Sequence, residues 1–150
     1  VKKRWDEIKK EEKQKKGAAA KLLLESIPRA LPALVEAQQI SSKAAAAGFD
    51  WEGIEQVIAK VHEELDELRQ SRNGGSREDV EGEIGDLLFT IVNVARFLKV
   101  DPEQALRKTN AKFRRRFAHV EEGLARDGKT LQQSTIDEME TLWQEAKRSE

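Results

Sequence analysis

The sequence predicts an all-α protein, a helical bundle built on an antiparallel helix hairpin. Three observations carry the fold class. Apolar residues recur at three- and four-residue spacing through most of the chain, and clear period-2 alternation is absent. Only three prolines and nine glycines punctuate 150 residues, which leaves room for long helices. Capping residues stand where the periodic segments begin and end.

Taken in order, Val1 to Lys16 reads as a charged helix with Trp5 and Ile8 as its apolar points and a solvated face of lysines and glutamates. The chain opens inside this helical pattern, so it is expected to be a piece of a longer protein. "SIPRALPALVEAQQI" starts a second helix near Pro28 and Pro32, with Leu31, Leu34, Val35 and Ile40 as a partial stripe. Gly48 closes it, and Asp50 is placed to cap the next helix. That helix runs from about Trp51 to Gln70 on Ile54, Val57, Ile58, Val61, Leu65 and Leu68. Gly74 and Gly75 break the chain, and a partner helix runs from about Glu78 to Lys99 on Val80, Ile84, Leu87, Leu88, Ile91, Val92, Ala95 and Leu98. Asp101, Pro102 and Gln104 form the entry signal of a further helix, with Leu106, Phe113, Phe117 and Val120 as its core positions. "STIDEMETLWQEAK" closes the chain as a helix with Ile136, Met139 and Leu142 (or Trp143) inward. The whole is expected to be a single all-α domain, with 1–50 as a charged helix and a connecting helix and 51–150 as the helical core.

Composition narrows the function. Charged residues make up 37% and hydrophobic residues 38%, and there is no cysteine, which removes disulfides and thiolate metal sites. A formal net charge of −1 argues against a nucleic-acid surface. No apolar run reaches the length of a membrane span, and no signal peptide is visible, so a cytoplasmic protein without a membrane partner is expected.

Within the hairpin, "VHEELDEL" and "VEGEIGDLLF" each set carboxylates beside an apolar stripe. At about 100° per residue, with Ile54 at zero, Glu64 falls at roughly −80° and Glu67 at roughly −140°. With Ile84 at zero, Glu83 falls at roughly −100° and Asp86 at roughly −160°. Each helix therefore carries an i,i+3 pair on the same flank of its stripe. The approximate two-fold axis of an antiparallel hairpin brings equal offsets of equal sign together. The heights agree to roughly 3 Å at 1.5 Å per residue. Glu64, Glu67, Glu83 and Asp86 are expected to converge, while Glu63 and Asp66 point away. Four crowded carboxylates repel, and a divalent cation relieves that. Oxygen-only ligands favour Mg²⁺, Mn²⁺ or Ca²⁺, and Mg²⁺ with a phosphate-bearing substrate is the natural reading. His62 lies on the wrong flank for a di-iron bundle. A solvated helix face is the competing account, and Lys60 stands i,i+4 from Glu64, at bridging distance.

"TNAKFRRRF" supplies opposite charge. With Phe113 at zero, Arg116 falls at roughly −60° and Lys112 at roughly −100°, i,i+4 neighbours on one flank. Such a pair can hold polyphosphate oxygens. Arg114 and Arg115 point outward and read as solvated, and Asn110 lies on the other flank. Trp143 can stack on a base or simply pack.

"EELDE" followed by "EGEIGDLLF" resembles the E-E-x-x-E … E-x-x-D signature of MazG-type nucleoside triphosphate pyrophosphohydrolases. "TNAKFRRRF" resembles that family's N-x-K-F-x-x-R-F element. "RWDEIKKEEK", "IPRALPALVEAQQISSKAAAAGFDW" and "ETLWQEAK" are similar to the C-terminal half of two-domain bacterial members. The resemblance implies Mg²⁺-dependent hydrolysis of nucleoside triphosphates to monophosphate and pyrophosphate, with Mn²⁺ as a substitute, in a homodimer. It implies Glu64, Glu67, Glu83 and Asp86 as ligands, Lys112 and Arg116 on phosphate, and Asn110 and Trp143 near the nucleotide. Glu63 or Glu67 would take the proton of water, a choice the sequence leaves open. Two alternatives stand beside this reading: an idle dimerisation or regulatory module, and a narrow-specificity relative such as a dUTPase or dCTPase.

Overall fold

The computed structural model describes residues 2–16 and 22–150. Among these there are six α-helices and no strand: α1 (Lys2–Lys16), α2 (Ala33–Ala46), α3 (Ile54–Gly74), α4 (Arg77–Phe97), α5 (Pro102–Arg126) and α6 (Ile136–Arg148). Short 3-10 turns precede α2 at Leu23–Ser26 and α6 at Leu131–Gln133. The chain divides into two compact units, Val1–Val100 and Asp101–Glu150.

In the first unit, α3 and α4 pack along each other as the expected hairpin, and α2 lies against α4. Val57 of α3 and Val92 of α4 are fully buried. The connection is tighter than the two glycines suggest. Helix α3 runs on through Gly74, and only Gly75 is outside it. Ser76 then opens α4 with a reciprocal capping box. Its hydroxyl accepts from the Asp79 backbone N–H, and the Asp79 carboxylate accepts from the Ser76 N–H at 2.8 Å. These bonds satisfy two of the four orphan donors at the helix start. The contact also holds the Asp79 carboxyl below its ordinary range, chiefly through the Ser76 backbone bond.

Gly48 has φ +98°, the left-handed conformation that a helix exit needs and that an L side chain resists. Asp50 does not cap α3. The helix starts later, with Gly53 as N-cap, and Asp50 is drawn instead to the Arg96 guanidinium of α4, at 3.0 and 2.5 Å. Asp50 Oδ1 also accepts from the adjacent Trp51 N–H at 2.9 Å, so the charged tertiary partner adds to a local backbone bond that lies ahead of the helix. Arg96 also donates to Asn93 Oδ1, and the Asn93 amide donates to Ser41 Oγ and the Phe89 carbonyl. Asn93 and Ser41 are buried, so this chain of bonds satisfies polar groups that would otherwise be costly.

In the second unit, Asp101 caps α5 by accepting from Glu103 N and Gln104 N, and Pro102 takes the first turn, as expected. Helices α5 and α6 pack as an antiparallel pair. Gly123 sits where they approach most closely, since a Cβ there would lie 2.5 Å from a Leu142 methyl. Val120, Leu124 and Ala146 form the buried core. Three expected core positions are surface instead: Leu106 is 48% exposed, Phe113 56% and Ile136 75%. The periodic stripe is wider than the narrow seam between two helices. Trp5 and Ile8 of α1 are likewise exposed.

Leu124 is one of the few side chains of the second unit that is almost wholly buried. Truncation to alanine is expected to cost about 2–5 kcal/mol, read as a lower urea midpoint. A midpoint within experimental error of the parent would show that the α5–α6 seam does not support the unit.

Candidate functional site

The α3–α4 hairpin brings three of the four expected carboxylates together. One oxygen each from Glu64, Glu83 and Asp86 lies within 4.8 Å of the others. Glu67 is not in this triad, but it neighbours Glu83 closely enough to act on it by charge. Burial differs across the group. Glu64 is only 4% exposed, Glu83 and Glu67 are half-buried, and Asp86 is open to solvent.

Two carboxylate oxygens are buried with no hydrogen-bond partner among the described residues, Glu64 Oε2 and Glu83 Oε2. An acceptor in that position forfeits the water it would otherwise bind. The energetic stress appears on Glu83, whose carboxyl is pushed above its ordinary range. Burial is the largest cause, followed by the negative charge of Glu67, and then Glu64 and Asp86. Orphaned oxygens on converging carboxylates are what a divalent cation would satisfy, so these residues fit the expected metal.

Lys60 balances part of the charge. Its ammonium sits 2.9 Å from Glu64 Oε1 and 3.0 Å from Glu63 Oε1. Glu64, then Glu63, raises the Lys60 pKa above its ordinary value. Glu63 points outward as expected, and Asp66 pairs with Arg69 at 2.9 Å on the surface. His62 is exposed.

Beside this cluster, in the same unit, lies a cleft of about 410 Å³, within the range of small-molecule sites. Phe49, Trp51 and Phe89 give it aromatic walls, and Ser41, Asn93 and Arg96 its polar floor. Phe89 and Asn93 follow Asp86 by three and seven residues on α4, so the floor lies roughly 10 Å along the helix from that carboxylate. The sequence reading passed over this cleft. Its walls come from α2, α4 and the 49–51 segment, which only tertiary packing assembles.

In the second unit, Lys112 and Arg116 share one flank of α5. The Arg116 guanidinium lies 5.7 Å from the Trp143 ring centroid, and Trp143 packs on Phe113 at 5.0 Å. Asn110 is exposed. Arg115 is not merely solvated, as its position on the wheel suggests. It reaches to 3.5 Å from Glu150, which also binds Arg116.

Residues 52–121 match the MazG nucleotide pyrophosphohydrolase domain. The chain is 42% identical over 145 residues to the nucleoside triphosphate pyrophosphohydrolase/pyrophosphatase MazG of Thermotoga maritima, which covers 97% of this chain and 54% of that protein. This chain carries a MazG domain. Similarity to the Escherichia coli K12 nucleoside triphosphate pyrophosphohydrolase is 43% identity over 149 residues, 98% of this chain and 56% of that one. An uncharacterized Bacillus subtilis protein, YabN, is 43% identical over 147 residues, 29% of its own length. The chain spans about half the length of the first two relatives. All four carboxylates of the expected set, with Lys112 and Arg116, fall inside the segment that matches the MazG domain.

The raised Glu83 pKa gives a signed expectation. In the folded MazG domain Glu83 holds its proton more readily than in the unfolded chain. Its contribution to stability is therefore complete below the ordinary carboxylate pKa and lost as pH rises through the raised value. In EDTA, Glu83→Gln is expected to have a higher Tm than the parent at neutral pH. The gap should close as pH falls below the carboxylate range. A gap independent of pH, in thermal unfolding curves, would remove the electrostatic account.

Proposed function

We propose that this protein hydrolyses nucleoside triphosphates to the monophosphate and pyrophosphate with Mg²⁺, Mn²⁺ serving as a substitute. The observation that carries the proposal is the triad of Glu64, Glu83 and Asp86 with its two unpartnered buried oxygens. A purely structural helix pair gains nothing from such groups and is destabilised by them. The MazG relatives, named for this activity, point the same way.

Glu64, Glu83 and Asp86 would hold the cation, with Glu67 beside Glu83. When bound, the cation supplies Lewis-acid polarisation of the phosphoryl group and a lower pKa for water. Glu67, half-buried beside Glu83 and outside the triad, is the carboxylate that accepts the water proton, whereas Glu63 points outward. Lys60 orients Glu64 through its 2.9 Å ion pair. Lys112 and Arg116 supply the kind of cations that hold polyphosphate oxygens, and Trp143 backs the Arg116 guanidinium. The aromatic cleft over Asn93 and Ser41 takes the nucleoside end, at a distance along α4 that suits a base and sugar extending from a metal-bound phosphate.

We infer a homodimer as well. Ile84, Leu88 and Ile91 recur at i, i+4 and i+7 on α4, and all are exposed. A continuous helical stripe of this kind suits a second copy of the hairpin, giving a four-helix core. The working compartment proposed is the cytoplasm.

With ATP and Mg²⁺, the products are expected to be AMP and pyrophosphate. ADP and orthophosphate would sink the reading, and so would activity that survives EDTA. Asp86→Asn is expected to lose roughly 100-fold or more in rate, as disturbance of metal coordination does. Parent-like turnover in that variant would remove Asp86 from the ligand set. Leu88→Glu is expected to convert the dimer to monomer in light scattering, whereas an unchanged mass would move the interface elsewhere.

A further inference from the structure

Ser41 stands at one end of a chain of hydrogen bonds whose direction is set from the other end. The Asp50 carboxylate only accepts and the Arg96 guanidinium only donates. Asn93 must therefore turn its Oδ1 to Arg96, which reaches it from Nε at 3.2 Å and from Nη2 at 3.1 Å. The Asn93 amide nitrogen then faces the other way. It spends one hydrogen on the Phe89 carbonyl and one on Ser41 Oγ, each at 3.0 Å. Ser41 is thus held as the acceptor in this contact, and its own hydroxyl hydrogen is left over. The other buried hydroxyl, on Thr90, returns its hydrogen to the carbonyl four residues back, at 2.8 Å. Thr141 does the same on α6. Ser41 makes no such bond and donates to nothing among the described residues. It is 5% exposed and lines the aromatic cleft.

We propose that Ser41 is a specificity-determining residue of this cleft, donating its hydroxyl hydrogen to a carbonyl oxygen or ring nitrogen of the bound nucleobase. The proposal rests on the reading above that the cleft takes the nucleoside end. Phe49, Trp51 and Phe89 offer ring faces that suit any flat base, so the walls discriminate little. Asn93 has no donor or acceptor to spare, and the Arg96 guanidinium is committed to Asp50 and Asn93. The Ser41 hydroxyl is the buried side-chain donor that remains. A base with an acceptor atom satisfies it. An apolar ring of the same shape strips it of water and returns nothing.

Calorimetric titration of the whole chain in EDTA, with adenosine, uridine and phenyl C-riboside, tests it. The last is a flat base surrogate whose ring carries no acceptor. No triphosphate or metal is present, so the outcome is separate from whether nucleoside triphosphates are hydrolysed. The parent is expected to bind both nucleosides more tightly than the surrogate. Ser41→Ala is expected to weaken both nucleosides roughly fivefold, the scale of one net hydrogen bond, and to leave the surrogate unchanged. Ser41→Thr, which retains the hydroxyl, is expected to retain the preference. Equal weakening of nucleosides and surrogate in Ser41→Ala would overturn the proposal and make Ser41 a brace for Asn93. A preference that survives Ser41→Ala, or is lost in Ser41→Thr, would overturn it too. Absence of nucleoside binding to the parent would overturn it even where triphosphates are hydrolysed. The expected pattern in a chain that releases orthophosphate would sink the reaction and leave the Ser41 contact standing.

Discussion

Two buried carboxylate oxygens without partners, on Glu64 and Glu83, set the terms for the first unit of this protein. Packing α3 against α4 places them there, and the stripe residues that drive the packing give no way to relieve them. Lys60 takes only one oxygen of Glu64. The hairpin therefore retains an electrostatic cost that hydrophobic burial at Val57 and Val92 must offset. Active sites commonly carry such costs, because a ligand that resolves them gains binding energy from the relief.

The second unit carries the opposite arrangement. Two of its cations are already answered, Arg116 by Glu150 and by the Trp143 ring, and Lys129 by Glu138 at 2.7 Å. The α5–α6 pair is also less completely buried than its sequence pattern suggests, with Phe113 and Ile136 on the surface. Apolar periodicity identifies which side of a helix is greasy. It does not say whether the same chain covers that side.

That distinction explains what the sequence made legible. The carboxylate triad follows from angles local to each helix and from one short connection, so simple geometry on the sequence reached it. Glu67 fell just outside the triad because a wheel fixes direction and not reach. The caps at Asp101 and the exit at Gly48 are also local, and both appear as read. Asp50 was misread because its partner, Arg96, is far along the chain and becomes a neighbour only after α4 folds back. The aromatic cleft and the Arg115–Glu150 contact were invisible for the same reason.

The capping box at Ser76 has a consequence for how this hairpin can vary in length. The helical phase of α4 is anchored at Ser76, ten positions before Asp86, by bonds that belong to the helix itself. A residue gained or lost before Ser76 leaves that anchor intact, and the loop-closure cost of such a change is small. A residue gained between Asp79 and Glu83 turns every later side chain by about 100° and carries both α4 carboxylates off the shared flank. The chain can therefore absorb insertions on one side of a single serine and none on the other.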